Sequence, residues 1–142
     1  MPVAREADMR SRRAKLVLLG IVLVACGAAA AAGVLNQRAK QSHLASAVTG
    51  GDPERAMEAI IRYGCAACHN IPGATAPGGL AAPSLSGVAD RVYIGGVAEN
   101  SPDNLVRWIV DPKQFSPKTA MPVTGIREGE ARDIAAYLYR DR

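Results

Sequence analysis

The residues best suited to chemistry in this sequence are two cysteines and a histidine that lie close together. Cys65 and Cys68 are separated by two residues, and His69 follows directly. Two thiols at this spacing can each add to one vinyl group of a single porphyrin, and the adjacent imidazole can then reach the iron. The motif therefore indicates covalent attachment of a c-type haem.

Two other uses of a Cys-x-x-Cys pair fit less well. A structural zinc site needs four ligands, but the chain has 3 Cys and 2 His, with Cys26 in an apolar segment and His43 in a polar one. A thioredoxin-like redox pair would lie between a strand and a helix, and no alternating strand pattern surrounds residues 65–69. We interpret His43 as a solvated residue rather than a haem ligand.

Composition agrees with a bound prosthetic group. The 142 residues are 49% apolar but only 4% aromatic, with one Trp and one Phe. This is a poor set of side chains for a self-sufficient core in a small domain, so a buried porphyrin would supply the missing apolar volume. We expect the haem-free chain to be largely unfolded. Most of the net charge of +4 lies in residues 1–36, which gives no reason to expect a nucleic-acid partner.

An uncharged apolar segment occupies residues 16–35. At 1.5 Å per residue, about 20 helical residues span roughly 30 Å, the thickness of the hydrocarbon core of a bilayer. Basic residues lie directly before the segment, so the positive-inside rule predicts a basic cytoplasmic tail at residues 1–15 and export of the rest. We predict a retained transmembrane helix, or uncleaved signal anchor, at residues 16–35.

Two alternatives to a retained helix stay open. The basic start and the small residues at 28–32 also suit a cleaved signal peptide. Leu23-Val24-Ala25-Cys26 is similar to the processing box of bacterial lipoproteins, in which Cys26 would be lipidated. The apolar stretch continues beyond Cys26, which favours the retained helix. Residues 36–51 are polar, small and unpatterned, and are predicted to form a flexible linker.

Residues 52–142 are predicted to form a small all-α domain with long loops. Asp52 and Pro53 suit the start of a helix that leads into Cys65. Ser101-Pro102 begins a second helix, which Pro112 ends. A third is predicted over 128–139, with apolar residues on one face: Ala131, Ile134, Ala135 and Leu138. The Gly- and Pro-rich residues 71–82 are predicted to be a loop.

Residues of about 53–140 resemble a single-haem class I cytochrome c. The resemblance is carried by a helix that ends in CAACH, the stretch PSLSG at 83–87, the Met-Pro pair at 121–122 and the closing segment DIAAYLY. The run from 93 to 122 is similar to cytochrome c domains fused to subunit II of some bacterial haem–copper oxidases. That similarity covers the haem domain only, because the sequence contains no copper-binding domain. Membrane-anchored cytochromes c are the closer overall analogue.

The resemblance implies one covalently bound haem c with its iron. Cys65 and Cys68 would form the thioethers, and His69 would be the proximal ligand. The Pro83 carbonyl would accept a hydrogen bond from the other nitrogen of that imidazole, and Leu85 would pack on the haem.

Met121 would be the second axial ligand, as the resemblance and the position of the other methionines both indicate. Met1 and Met9 precede the apolar segment, and Met57 falls on the apolar face of the first helix of the domain. Trp108 and Tyr93 are either core aromatics or hydrogen-bond donors to a haem propionate. The sequence leaves open whether Arg91 is a surface cation or a partner of a propionate.

His/Met ligation would leave no open position on the iron. We therefore expect a single-electron carrier rather than an enzyme, with the haem domain on the periplasmic side of a bacterial inner membrane and one pass through its lipid. The expected donor is a cytochrome bc1-type complex and the expected acceptor a haem–copper oxidase. The alternatives are a fixed haem c subunit of a respiratory complex and, if Met121 is not a ligand, an enzyme or gas sensor.

Overall fold

The computed structural model describes residues 3–74, 79 and 81–140, so positions 75–78 and 80 of the predicted loop lie outside the described residues. The chain divides into two compact units, Met1–Arg38 and Ala39–Arg142. The described residues are mostly helical, as predicted. The α-helices are α1 (Val3–Thr49), α2 (Ala56–Arg62), α3 (Pro102–Val110) and α4 (Glu128–Arg140), and the strands are β1 (Tyr93–Ile94) and β2 (Ala98–Glu99). Single turns of 3-10 helix lie at Cys65–Ala67, Val88–Asp90 and Pro112–Gln114.

Helix α1 contains the candidate membrane span. Among the described residues, Lys15–Thr49 is the one helical segment that is long and apolar enough to cross a membrane. Its large apolar side chains are exposed, for example Leu18 at 61% and Val24 at 73%. Continuous apolar exposure of this kind suits a surface that faces lipid. The sequence-based expectation of one N-terminal candidate membrane-spanning helix is therefore confirmed.

Residues 36–49 are helical, so the flexible linker predicted at 36–51 is wrong for these residues. Ala45 and Thr49 are buried, at 3% and 1% exposure. The Thr49 hydroxyl donates to the Ala45 carbonyl at 2.7 Å, and the Thr49 carbonyl accepts from Nη1 of Arg132 at 2.8 Å. The buried residues here, Ala45 and Thr49, have small side chains, and a prediction from hydrophobic periodicity gives such residues little weight.

A close backbone approach joins the end of α1 to α4. A Cβ atom on Gly51 would overlap the carbonyl of Arg132 and the amide nitrogen of Asp133. Oδ1 of Asp133 accepts a hydrogen bond from the Asp52 amide at 2.7 Å. The Asp133 carboxylate also accepts hydrogen bonds from Nε and Nη2 of Arg55, each at 3.0 Å. These charge-assisted bonds satisfy a carboxylate that is only 6% exposed.

Helices α2 and α3 both pack against α4. The apolar face predicted for α4 is confirmed, since its four predicted residues are each at most 3% exposed: Ala131, Ile134, Ala135 and Leu138. Ile60 of α2 and Val106 of α3 are the large side chains buried most completely in the other two helices. Ile61, the neighbour of Ile60 on α2, is 67% exposed and does not belong to the buried face.

The predicted start and end of α3 are confirmed by its capping contacts. Oγ of Ser101 accepts from the Asn104 amide at 3.3 Å, and Pro102 occupies the first turn. The helix ends at Val110, before Pro112. Helix α2 begins later than predicted, at Ala56, because the Asp52 side chain caps a preceding turn by accepting from the Glu54 amide at 3.0 Å.

A short antiparallel hairpin, β1–β2, was not predicted from the sequence. Ile94 pairs with Ala98, and both are buried. Its turn contains Gly95 and Gly96, with φ of 56° and 73°, which are values that glycine adopts readily. Two-residue strands are too short to show a period of two in the sequence.

Asn100, directly after the hairpin, fixes its position. Its Nδ2 donates to the carbonyls of Val88 and Arg91 at 2.7 and 2.8 Å. Its Oδ1 accepts from the hydroxyl of Tyr139 on α4 at 3.0 Å. The hairpin is thereby connected both to the preceding loop and to α4.

Glu130 of α4 accepts hydrogen bonds from three side chains: Nη1 of Arg62 at 2.6 Å, the hydroxyl of Tyr63 at 2.8 Å and Nε of Arg127 at 3.1 Å. Its side chain is 15% exposed. The bonds from Arg127 and Tyr63 lower the pKa of Glu130 to about 2. Glu130 thus joins the end of α2 to the start of α4.

We expect Gly51→Ala to lower the free energy of unfolding by about 1–3 kcal/mol, because the added methyl group overlaps the α4 backbone. Denaturant unfolding of the haem-loaded full chain in detergent measures this. Gly129→Ala is the control, since its Cβ would meet nothing within 4 Å and alanine favours a helix. Equal stability of Gly51→Ala and wild type would contradict the close approach.

The carboxylate of Glu130 should stabilise the fold in a pH-dependent way. Because its folded pKa, about 2, lies below its ordinary value of 4.5, the stabilisation is complete above pH 4.5 and is lost as the pH falls towards 2. The difference in unfolding free energy between wild type and Glu130→Gln should therefore shrink over that range. A difference that stays constant from pH 6 to pH 2.5 would rule out this role.

Candidate haem site

A cavity of about 320 Å³ lies among α2, α3, α4 and the loops that connect them. Apolar side chains from all three helices line it: Ile60, Leu105, Ile109, Ile134 and Leu138. Ile71, in the loop after the CAACH motif, also lines it. Nine of its 23 lining residues carry a polar or sulfur-bearing side chain, and the others are apolar or glycine. An apolar cavity with a few placed polar groups is the usual form of a cofactor site.

The CAACH motif forms one wall of the cavity. A 3-10 turn at Cys65–Ala67 follows α2, and the carbonyl of Cys65 accepts from the amides of Cys68 and His69 at 3.3 and 3.0 Å. Cys65 lines the cavity and is partly buried, whereas Cys68 is exposed and is not among the lining residues. Burial raises the pKa of the Cys65 thiol.

The imidazole of His69 lies on the same wall, with Nδ1 2.7 Å from the carbonyl oxygen of Pro83. A carbonyl oxygen only accepts hydrogen bonds, so Nδ1 carries a proton, and in the neutral imidazole Nε2 then keeps a free lone pair. That is the tautomer a metal-binding histidine needs, and the carbonyl contact also fixes the ring orientation.

The loop that carries Pro83 is held at several points. The Leu85 amide donates to the Asn70 carbonyl at 2.8 Å, and the Ala82 amide donates to the Cys68 carbonyl at 3.0 Å. Nη2 of Arg91 donates to the carbonyls of Ser84 and Ser86. Leu85 and Arg91 also line the cavity.

Met121 lines the cavity from the loop between α3 and α4. Its amide donates to Oγ1 of Thr119 at 3.2 Å. Its Sδ accepts a hydrogen bond from Nε1 of Trp108 at 3.1 Å. Neither role considered for Trp108 from the sequence included this contact, because the two residues lie thirteen positions apart on different elements.

Five of the six predicted site residues line one cavity: Cys65, His69, Pro83, Leu85 and Met121. Cys68 directly follows the 3-10 turn that contains Cys65 and is not among the lining residues. Met57 packs against the core, as predicted, and His43 is exposed on α1. Within the described residues, no group of three or more His, Cys, Asp and Glu could hold a metal ion.

The cavity fits a covalently bound porphyrin in its chemistry. Its apolar walls suit the ring, and the thiols of Cys65 and Cys68 lie at and beside one wall. An imidazole nitrogen and a thioether sulfur, both ligands of haem iron, come from separate loops. The sequence did not indicate Ile94 as a lining residue, because a strand of two residues carries no periodic signal.

Comparison with known proteins gives an independent assignment. The family model described as cytochrome c matches residues 54–140. Cytochrome c oxidase subunit 2 of Bacillus sp. (strain PS3) is 35% identical over 69 residues, which cover 47% of this chain and 19% of that protein. The chain thus spans about a fifth of the length of this relative. No solved structure matches the present chain significantly. Since the family match covers more than half of the sequence, the chain belongs to the cytochrome c family, whose domain binds haem c and its iron covalently and serves in electron transfer.

Proposed function

We propose that this protein is a membrane-tethered c-type cytochrome that transfers single electrons in a bacterial respiratory chain, with a terminal oxidase as acceptor. The observation that carries the proposal is the arrangement of His69 and Met121, which both line one apolar cavity from different loops. When bound, the haem supplies an iron that cycles between its ferric and ferrous states. The chain supplies burial, orientation and ligands.

Each residue of the site has a distinct part in this proposal. Cys65 and Cys68 hold the porphyrin through thioethers, and Nε2 of His69 binds the iron while the Pro83 carbonyl holds Nδ1–H. Met121 supplies the second axial ligand through Sδ. A methionine ligand raises the reduction potential compared with a second histidine, which suits a donor to an oxidase.

Two protein ligands leave no position for a substrate, which supports a carrier rather than an enzyme. Leu85 and the apolar lining exclude water from the ring. The proposed donor is a cytochrome bc1-type complex. The 35% identity over 69 residues to a cytochrome c oxidase subunit 2 supports a haem–copper oxidase as the proposed acceptor.

The proposed location is the periplasmic side of a bacterial inner membrane. Basic residues of the tail, among them Arg12 and Lys15, precede the apolar part of α1, and the positive-inside rule keeps such a tail in the cytoplasm. A retained helix would tether the haem domain to the lipid. Tethering raises the effective concentration of a carrier near partners in the same membrane.

One observation favours a second function, that of a fixed haem c subunit in a respiratory complex. A carrier that sweeps over the membrane needs a flexible tether, but residues 36–49 are helical and Ala45 and Thr49 are buried. Purification of the full chain from membranes in mild detergent separates the two cases. We expect a free small haem protein; co-migration with oxidase activity in a stable complex would favour the fixed subunit instead.

The ligation is tested by replacing Met121 with a residue of similar volume that has no sulfur. We expect Met121→Leu to remove the weak long-wavelength band that arises from sulfur-to-iron charge transfer in the ferric protein. The reduced variant should then bind carbon monoxide, because one axial position has opened. The substitution conserves volume, so the fold should survive it.

Met57→Leu is the matched control, since Met57 packs against the core outside the cavity. It should keep the band and should not bind carbon monoxide. If wild type lacks the band, or if Met121→Leu keeps it, Met121 is not the ligand. The open-site alternatives, catalysis or gas sensing, would then have to be considered.

A further inference from the structure

We propose that Gly95, in the turn of the β1–β2 hairpin, is a positioning residue for the iron site. It acts through Trp108, whose indole it allows to lie where Nε1 donates to the sulfur of Met121. This inference rests on the proposed function, because it assumes that Met121 is an axial ligand. It thereby connects the hairpin to the iron site, although the hairpin makes no hydrogen bond to Met121.

The contact between Gly95 and Trp108 leaves no room for a side chain. A Cβ atom on Gly95 would lie 2.7 Å from Cζ2 of Trp108, 3.1 Å from Cζ3 and closer still to Cη2. All three atoms belong to the outer ring of the indole, at the end of the side chain. A methyl group here would therefore have to displace the ring rather than the backbone.

The hairpin cannot easily move away to relieve such an overlap. Ile94 and Ala98 are paired and buried on either side of the turn. Asn100, just after β2, is bonded to the carbonyls of Val88 and Arg91 and to the hydroxyl of Tyr139. A methyl group on Gly95 would therefore displace the indole of Trp108 rather than the hairpin.

The indole has little freedom to move and still reach Met121. Its ring also lies beside Phe115, with ring centroids 6.0 Å apart, and the guanidinium of Arg107 lies 5.0 Å from the centre of the Phe115 ring. The Nε1–Sδ distance of 3.1 Å is that of a hydrogen bond to sulfur. A rotation of the indole that frees space at Gly95 also moves Nε1, because Nε1 and the outer-ring atoms near Gly95 belong to one rigid ring system.

A hydrogen bond to the Met121 sulfur affects the two oxidation states differently. It engages a lone pair that is not directed at the iron and withdraws electron density from the sulfur. Ferric iron depends more on that density than ferrous iron, so the bond raises the reduction potential. Hydrogen bonds around a ligand are a recognised means by which proteins adjust haem potentials.

The test compares two neighbouring glycines in the haem-loaded full chain. Gly96 also has positive φ, but a Cβ atom there would meet nothing within 4 Å, so Gly96→Ala carries the backbone strain alone. We expect Gly95→Ala to lower the midpoint potential and weaken the sulfur-to-iron band, and Gly96→Ala to leave both near wild type. A threefold change in relative affinity for ferric and ferrous iron corresponds to about 28 mV, at 59 mV per tenfold for one electron.

Trp108→Phe provides the second comparison, since it removes the donor and the outer ring that Gly95 contacts. It should lower the potential by itself, and adding Gly95→Ala to it should cause no further fall. If Gly95→Ala alone does not fold while the double variant does, the contact with the indole is supported. Equal potentials for Gly95→Ala and Gly96→Ala, or a further fall in the double variant, would overturn the inference.

The ligation by Met121 and the positioning role of Gly95 can be refuted separately. Absence of the sulfur-to-iron band from wild type would refute Met121 as a ligand, and this inference with it. A wild-type protein with the band, but without a specific effect of Gly95→Ala, would refute only the role of Gly95.

Discussion

The apolar cavity is the constraint on which the rest of the haem domain depends. Its walls are the inner faces of α2, α3 and α4, the same helices that form the core. With one Trp and one Phe in the chain, few large side chains are available to fill that space. The porphyrin is therefore a component of the core as well as the redox centre, and its covalent attachment prevents the loss of that component.

On the proposed ligation, the two axial ligands are adjusted in opposite senses by their neighbours. The Pro83 carbonyl accepts from Nδ1–H of His69, which increases the basicity of the imidazole. Nε1 of Trp108 donates to the sulfur of Met121, which reduces its electron density. The first contact joins residues fourteen positions apart and the second joins residues thirteen apart. Contacts that loop residues make with another loop and with α3 would thus set the electronic environment of the iron.

The sequence predicted features that depend on local chemistry or on a long periodic pattern. CAACH identified the cofactor, Ser101-Pro102 located the start of α3, and the spacing of Ala131 to Leu138 gave the buried face of α4. Features that depend on tertiary contact were missed. The end of α1 is bonded through Thr49 to Arg132, and the hairpin is bonded through Asn100 to the loop before it. Short strands and small side chains carry too little periodicity to reveal such contacts.

The source of the cavity walls has a consequence for the biogenesis of the protein. Ile134 and Leu138 come from α4, which follows the CAACH motif only after the loop, the hairpin and α3. On the proposed export from the cytoplasm, the thiols of Cys65 and Cys68 would emerge before the helix that completes the cavity. Haem can be added to a chain that is still open, and the packing of α4 against α2 and α3 then encloses it. On this order, attachment would precede the final packing step, and a chain that escapes attachment would reach its last helix without the porphyrin that fills the cavity.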